Sequence, residues 1–370
     1  MKLIVLQENL SKAVGIAEKF TSTKTQLPIL ANICLKTEKE RLKIQATNLE
    51  VGLSLWLGAQ IKNKGEITIP ARVFSEFINS LPKEKVHLEL KDKILTVSCG
   101  SFSADFTGIS AEEFPPLPTV GEKKPELNLP FSLFLPAMEK VCFAAAHDEG
   151  RPVLTGVKLE PKEKKLVLVA TDGYRLSIQE IEKGKMEIPS ALIIPARSLL
   201  EILRLASGSE EEEIGLSFTE KGNQIIFSLL DTEIVTRLIE GEFPEYQKII
   251  PDSFSTQVKL EKEAFLRALK VAAIFARDSA NIVRFKIEEN SLTISANSPQ
   301  IGKNKTKIEA GVRGKESRIA FNVRFLLEFL SKISEEEIIF EMSNSLNPGV
   351  FKIAKDPSYL HIIMPVRVQE

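Results

Sequence analysis

The sequence predicts an α+β protein made of three copies of one unit, each with two helices set against antiparallel sheet. Three observations predict it. An apolar strand leading into a helix with Arg-x-x-x-Glu on one stripe occurs three times at near-constant spacing. In each copy, hairpins of period-two alternation stand on both sides of that helix. Proline-rich stretches separate the copies.

The repeat is legible first in "ITIPARVFSEFI", "LIIPARSLLEIL" and "IAFNVRFLLEFL". Aligning the arginines pairs Arg72, Arg197 and Arg324, at spacings of 125 and 127 residues. Each has a glutamate four positions on, Glu76, Glu201 and Glu328, so both charges share one helix face. The positions between them are mostly apolar, which makes each helix amphipathic. A period this long in a chain of 370 residues means repeated domains rather than one core.

The remaining elements follow in order. A helix opens each copy: "ENLSKAVGIAEKF", "SLFLPAMEKVCFAAA" and "EKEAFLRALKVAAIFA". A hairpin of alternating apolar residues around a charged turn comes next, as in "TGVKLEPKEKKLVLVATD". The Arg-x-x-x-Glu helix is third, and a second hairpin such as "KVHLELKDKILTVSC" closes the copy. "EEFPPLP" and "GEFPEYQKIIP" read as linkers. The expected domains are 1–120, 125–250 and 251–370, with some eight strands each. Domains joined end to end leave one open sheet edge at each end of the chain. Closure by symmetry predicts two chains arranged head to tail in a six-domain ring.

Composition narrows the function. Hydrophobic residues are 43% and charged residues 27%, an ordinary globular mixture, and the net charge of −1 excludes a uniformly basic nucleic-acid binder. The six helix segments nevertheless sum to +4, leaving −5 for everything else. Cys34, Cys99 and Cys142 are three, scattered, and without zinc spacing, so buried reduced thiols are expected. The apolar run at the start is too short for a signal peptide core, and no stretch approaches membrane length. A soluble cytoplasmic protein with no metal or cofactor is expected.

"LPILANICL", "ATDGYRLS", "EFPEYQKIIP", "FNVRFLLEFL" and the terminal "MPVRV", together with the threefold repeat, resemble the β sliding clamp family, the processivity subunit of bacterial replicative DNA polymerase. The resemblance spans Met1 to Val368. It implies a ring-shaped dimer of clamp domains that encircles double-stranded DNA without sequence preference. It also implies tethering of the replicative polymerase, the clamp loader and other clamp-motif proteins, with no catalysis.

For DNA, a sliding contact needs exposed cations without base readout. The resemblance places Lys24, Arg72 and Arg197 at DNA-contacting positions, and the helix stripes add Arg204, Arg267, Lys270, Arg277 and Arg324. For partners, it implies a peptide cleft between the second and third domains. Its second-domain side is Leu154, Thr171, Gly173, Tyr174, Arg175 and Leu176, with Pro244 and Ile249 from the linker. Its third-domain side is Asn322, Phe325 and Ile362, continued by Met364, Pro365, Val366, Arg367 and Val368. Independently, "HIIMPVRV" is unusually apolar for a chain end. Pro365 should stop its strand near Met364, and a groove is the natural seat for the rest. Pro152, Val153 and Tyr174 depart from residues common in the family. For the dimer, the resemblance sets Phe102 and Phe106 against Ile274 and Phe275.

Two other classes compete. A nucleic-acid-processing enzyme would need a constellation that the sequence does not assemble. His87, His147 and His361 are scattered, the Asp148–Glu149 pair and the Glu210–Glu213 run suit solvated loops, and no phosphate loop or nucleophile elbow occurs. A repeat protein without DNA would fail to bind polymerase-derived peptides.

Overall fold

The computed structural model describes residues 1–22, 27–121, 124–148, 150–182, 190–206 and 212–367. One order of elements recurs three times, the second pass having, among the described residues, one short strand fewer before its second helix. The first pass is β1 (Lys2–Leu6), α1 (Gln7–Glu18), β2 (Asn32–Glu38), β3 (Arg41–Thr47), β4 (Val51–Gly58), β5 (Gln60–Asn63), β6 (Glu66–Pro70), α2 (Ala71–Ser80), β7 (Lys85–Lys91), β8 (Ile94–Cys99) and β9 (Phe102–Thr107). The second is β10 (Leu127–Pro130), α3 (Phe131–Cys142), β11 (Gly156–Lys162), β12 (Lys165–Thr171), β13 (Arg175–Glu182), β14 (Leu192–Pro195), α4 (Ala196–Ala206), β15 (Glu213–Phe218), β16 (Gln224–Leu229) and β17 (Thr232–Arg237). The third is β18 (Thr256–Glu261), α5 (Lys262–Ala276), β19 (Ile282–Glu288), β20 (Ser291–Ser298), β21 (Gly302–Glu309), β22 (Gly311–Gly314), β23 (Ser317–Asn322), α6 (Val323–Leu330), β24 (Glu337–Met342), β25 (Gly349–Ile353) and β26 (Asp356–Ile363).

Local chemistry sets the helix starts. Pro70 and Pro195 end their strands, and their fixed φ leads the chain into α2 and α4. In the third copy Asn322 does the capping: its Oδ1 accepts from the Arg324 N–H at 3.0 Å. Glu261 caps α5, its carboxylate accepting from Glu263 N–H and Ala264 N–H at 2.8 and 2.6 Å. Helix α2 buries Ala71, Phe74, Ser75 and Ile78; α6 buries Val323, Leu326, Phe329 and Leu330. Those spacings are one face of a 3.6-residue turn.

Contacts divide the chain into two compact units, 1–131 with 209–238, and 132–208 with 239–370. The first holds a five-stranded sheet, β5-β1-β7-β8-β9, and an eight-stranded sheet, β10-β15-β16-β17-β4-β3-β2-β6. The second holds a nine-stranded sheet, β14-β11-β12-β13-β26-β25-β24-β18-β22, and a four-stranded sheet, β21-β20-β19-β23. Every pairing is antiparallel, and helices pack in pairs, α1 on α2 and α5 on α6.

Two of these sheets join successive copies of the repeat. In the first unit β4 pairs with β17, Leu55 opposite Thr232 and Val51 opposite Thr236. In the second unit β13 pairs with β26, Arg175 opposite Ile363 and Gln179 opposite Tyr359. These are corresponding strands: the fourth strand of one copy meets the last strand of the next. The turn before each is also the same device. Asn48 Oδ1 accepts from Glu50 N–H and Val51 N–H, and Asp172 Oδ1 accepts from Tyr174 N–H and Arg175 N–H. Both turns need a left-handed residue at their centre, supplied by Leu49 at φ 76° and by Gly173 at φ 89°. Glycine takes that conformation without a Cβ penalty, which leucine must bear.

The core of the second unit is a run of phenylalanine rings. Phe265 meets Phe285 at 5.8 Å, Phe285 meets Phe321 at 5.4 Å and Phe321 meets Phe340 at 5.8 Å, all edge to face. The three cysteines are buried free thiols. Burial pushes the Cys34 and Cys142 thiols up to about 12, so they pack as small apolar groups.

Candidate nucleic-acid and partner interfaces

The described cations expected to meet DNA are all exposed: Arg72 on α2, Arg197 and Arg204 on α4, Arg267 and Lys270 on α5, Arg277 just past α5, and Arg324 on α6. Their helices turn apolar faces to the sheets and leave these side chains outward. Lys24 lies outside the described residues. The repeated Arg-x-x-x-Glu pairs differ in use. Arg72 Nε bonds Glu76 Oε1 at 2.9 Å within one helix, as the spacing predicts. Glu201 pairs instead with Arg204, and Glu328 with Arg175 on β13. The identical spacing therefore carries an identical bond in the first copy alone among those three.

Arg175 is the organising residue of the expected cleft, and it is 4% exposed. Its Nε donates to Asp172 Oδ2 at 3.0 Å and one terminal nitrogen donates to the Phe143 carbonyl at 2.8 Å. The other terminal nitrogen pairs with Glu328. The guanidinium lies 4.8 Å from the Phe325 ring centre and 5.3 Å from that of Phe143. It therefore ties β13 to α6 and to the end of α3, and offers a ligand little surface. Gly173 N–H donates to Thr171 Oγ1, whose hydroxyl donates to the Arg175 carbonyl at 2.6 Å. The knitted turn leaves Tyr174 outside, 67% exposed.

Beneath Arg175 lies a buried polar relay. Ser177 Oγ is 2.8 Å from His361 Nδ1 and 3.1 Å from Tyr359 Oη, and Tyr359 donates to the Lys140 carbonyl at 3.2 Å. Burial first, then the Arg175 charge, hold His361 well below the usual imidazole range, so it stays neutral. Its ring stacks on Phe329 at 4.8 Å. Lys140 reaches Asp356 at 3.0 Å and Glu335 at 3.1 Å. Burial pulls the Lys140 ammonium down, but the two carboxylates outweigh it and hold it above its ordinary value.

The opposite face of the same strands is apolar. Leu176 and Ile178 of β13 and Ile362 of β26 pack with Val167, Val169 and Val350. The linker seals this face with Tyr246, Phe243 and Ile250, and Tyr246 Oη donates to Glu160 Oε2 at 2.6 Å. Leu154 is buried, while Pro244 and Ile249 stay exposed on the linker. Strand β26 ends at Ile363, one residue before the expected stop. Beyond it the tail is strapped down: Met364 N–H donates to the Tyr174 carbonyl and Val366 N–H to the Ala320 carbonyl, each at 2.8 Å. Met364 and Arg367 are exposed, and Pro365 and Val366 half-buried; Val368 lies outside the described residues. Asn322 and Phe325 stand at the start of α6, half-buried. The structure thus brings the 171–176 turn, the α6 start and the tail together around Arg175. It adds Leu346, 61% exposed, on the groove that Val366 and Arg367 also line. Its signal, a lone leucine in "SNSLNPG", was too short to read as part of any periodic pattern.

For the dimer residues, Phe102 is 52% exposed at the start of edge strand β9, and Ile274 is 51% exposed on α5, with Phe275 half-buried beside it. Phe106 is different: its ring packs on Phe74 at 5.3 Å and Phe77 at 5.5 Å inside its own unit. Among the described residues no His, Cys, Asp or Glu cluster could hold a metal, and no helix is long and apolar enough to cross a membrane. His87 and His147 are exposed on β7 and on the turn after α3, while His361 is buried in the relay.

Three successive family models match along the chain: the N-terminal domain of the DNA polymerase III beta subunit over residues 1–118, the central domain over 128–245, and the C-terminal domain over 247–367. The chain belongs to the DNA polymerase III beta subunit family. Among its members, the beta sliding clamp of Synechococcus elongatus is 28% identical over 376 residues, covering all of both chains. That of Bacillus subtilis is 27% identical over 383 residues, covering 99% of this chain and all of the other. The solved beta subunit of Thermotoga maritima superposes with a TM-score of 0.91 at 30% identity, again over the whole of both chains. The beta subunit fold is thus kept while about seven residues in ten differ, which a repeat specified by apolar periodicity allows.

Proposed function

We infer that this beta subunit is a DNA sliding clamp that encircles double-stranded DNA as a head-to-tail dimer and holds the replicative polymerase on it. The supporting observation is the pairing between copies. The fourth strand of one copy meets the last strand of the next in β4–β17 and again in β13–β26. The same rule leaves β21 of the third copy and β9 of the first, both edge strands, without the corresponding partner within the chain. Joining β21 of one chain to β9 of another would make a nine-stranded sheet like the one within the second unit, and doing so twice closes a ring. Phe102 would then lie against Ile274, while Asp105 and the Lys303, Lys305 and Lys307 row supply opposite charges.

In this reading the three clamp domains are 1–120, 125–250 and 251–370. The exposed helix cations hold phosphates loosely, so the ring slides. The tail and the 171–176 turn receive short apolar peptides from the polymerase, the clamp loader and other clamp-motif proteins. The beta subunit works in the cytoplasm, needs no cofactor and carries no catalysis of its own.

Retention on DNA of defined topology tests the ring. The protein is loaded with clamp loader and ATP onto a nicked circular plasmid, washed at high salt, and the circle is then cut once. Protein that survives the wash and leaves after the cut is linked topologically. Protein detected on the circle before the wash, then stripped by salt alone and indifferent to cutting, is held only by charge, and the ring is wrong.

A further inference from the structure

We propose that the outer face of the four-stranded sheet is a docking site for an extended acidic segment of a partner protein. The sheet has two unlike faces. Val283, Phe285 and Ile287 of β19, with Ile319 and Phe321 of β23, point into the core under α5 and α6. The alternate positions point the other way and are mostly basic, with Glu288 at the end of β19 paired to Lys286 at 2.5 Å. Arg284 and Lys286 of β19 stand beside Arg318 of β23, since Lys286 is opposite Arg318 and Arg284 opposite Ala320. Lys305 and Lys307 lie on the same face across Ser295 and Thr293 of β20, but at the far edge that the ring would use and outside the groove. In a chain whose net charge is −1 this concentration of cations is not an average surface.

A groove of about 860 Å³ elsewhere in this unit is lined by Glu261, Glu309, Glu335, Glu336 and Glu337, and nothing there points to a ligand. The basic groove is larger, about 1300 Å³, and is built for a strand. It runs beside β23, an edge strand of its sheet, between Arg284, Lys286 and Arg318 on one side and the 342–346 loop on the other. Lys315 stands at one end, beside the acidic Glu316, and Arg367 at the other, so cations outnumber acids along the lining. The tail already uses this edge once, where Val366 N–H donates to the Ala320 carbonyl, and Ala320 is buried there despite facing outward. A second extended chain can continue along the edge past Arg318 by main-chain bonding, with every other side chain over the cations. Exposed Leu346 supplies an apolar contact on the loop side.

An acidic peptide fits better than nucleic acid. Among the described residues lining the groove the single aromatic one, Phe285, is buried, so unstacked bases find no platform there. Helix α5, carrying Arg267 and Lys270, packs on the opposite face of this sheet, so a duplex held there does not reach this one. The groove meets the tail at Val366 and Arg367, so acidic residues flanking a peptide seated at the tail would enter it directly.

The site needs neither the ring nor DNA, so its failure and the failure of topological retention are separate results. A fluorescently labelled peptide of alternating Glu and Thr is titrated into the full-length protein at low salt, beside a Gln-and-Thr peptide and an oligothymidylate. The acidic peptide should bind at least about tenfold more tightly than the neutral one. Arg284→Glu with Lys315→Glu, both exposed and so compatible with folding, should remove that advantage. Lys62→Glu with Lys64→Glu, an equal charge change in the other unit, should alter affinity by less than about twofold. Equal binding of the two peptides overturns the proposal, as does equal weakening by both charge reversals. Tighter binding of the oligothymidylate, lost in the Arg284→Glu, Lys315→Glu variant, would make the face a nucleic-acid surface instead.

Discussion

Arg175 shows how one side chain can be legible as important and illegible in role. The sequence places it in a turn expected to meet a peptide; the fold spends its donors on Asp172, Glu328 and the Phe143 carbonyl. Removing it strips partly buried Asp172 and the Phe143 carbonyl of a donor, while half-exposed Glu328 is left to solvent, a loss of about 1–3 kcal/mol. Arg175→Ala should therefore lower the urea midpoint markedly, and a midpoint within experimental error of the parent would deny it the structural role. His361 makes a second prediction at this scale. It stays neutral in the fold, while the unfolded chain takes up a proton near pH 6.5. Below that pH the unfolded state binds more protons, so stability is full above about pH 6.5 and falls as pH drops toward the depressed folded value. Melting temperatures between pH 7 and 5 should fall less steeply in His361→Phe than in the parent. Equal slopes would place the titration elsewhere.

At the scale of elements, the six helices were legible because apolar residues recur every three to four positions. The charge pairing on them was not. Spacing predicts Arg72–Glu76, Arg197–Glu201 and Arg324–Glu328 alike, but a neighbouring cation can outbid the i, i+4 partner, as Arg204 and Arg175 do. A surface pair is worth only a few tenths of a kcal/mol, so small differences of geometry decide it. Helix α5 carries two exposed cations, Arg267 and Lys270. If both meet phosphate, Arg267→Glu with Lys270→Glu should weaken non-specific DNA binding and make log K against log salt shallower by about 2. An unchanged slope would remove α5 from the DNA surface.

At the scale of the whole molecule, closure depends on edges. Phe102 is exposed at one edge and Ile274 stands near the other, so Phe102→Asp should leave each chain folded and shift the dimer toward monomer in sedimentation. A dimer of parental strength with Asp at that position would move the interface away from β9. Phe106 is a poor probe of the same idea, because its ring is committed to Phe74 and Phe77 and its loss would also unsettle that core.

What the sequence determined by itself is the repeat: three passes of strand, helix, strands, helix and hairpin, each written in local periodicity and turn chemistry. Those are interactions between residues a few positions apart, so they survive in a linear text. Only the tertiary structure decided which strands meet across copies, β4 with β17 and β13 with β26, over separations of roughly 180 residues. It also decided that Arg175 faces inward, that Leu346 joins the tail's groove, and that one face of the four-stranded sheet gathers cations from strands read separately. A strand's sequence says which face is apolar; it carries no mark of the partner at its edge, because backbone hydrogen bonds are the same for every residue.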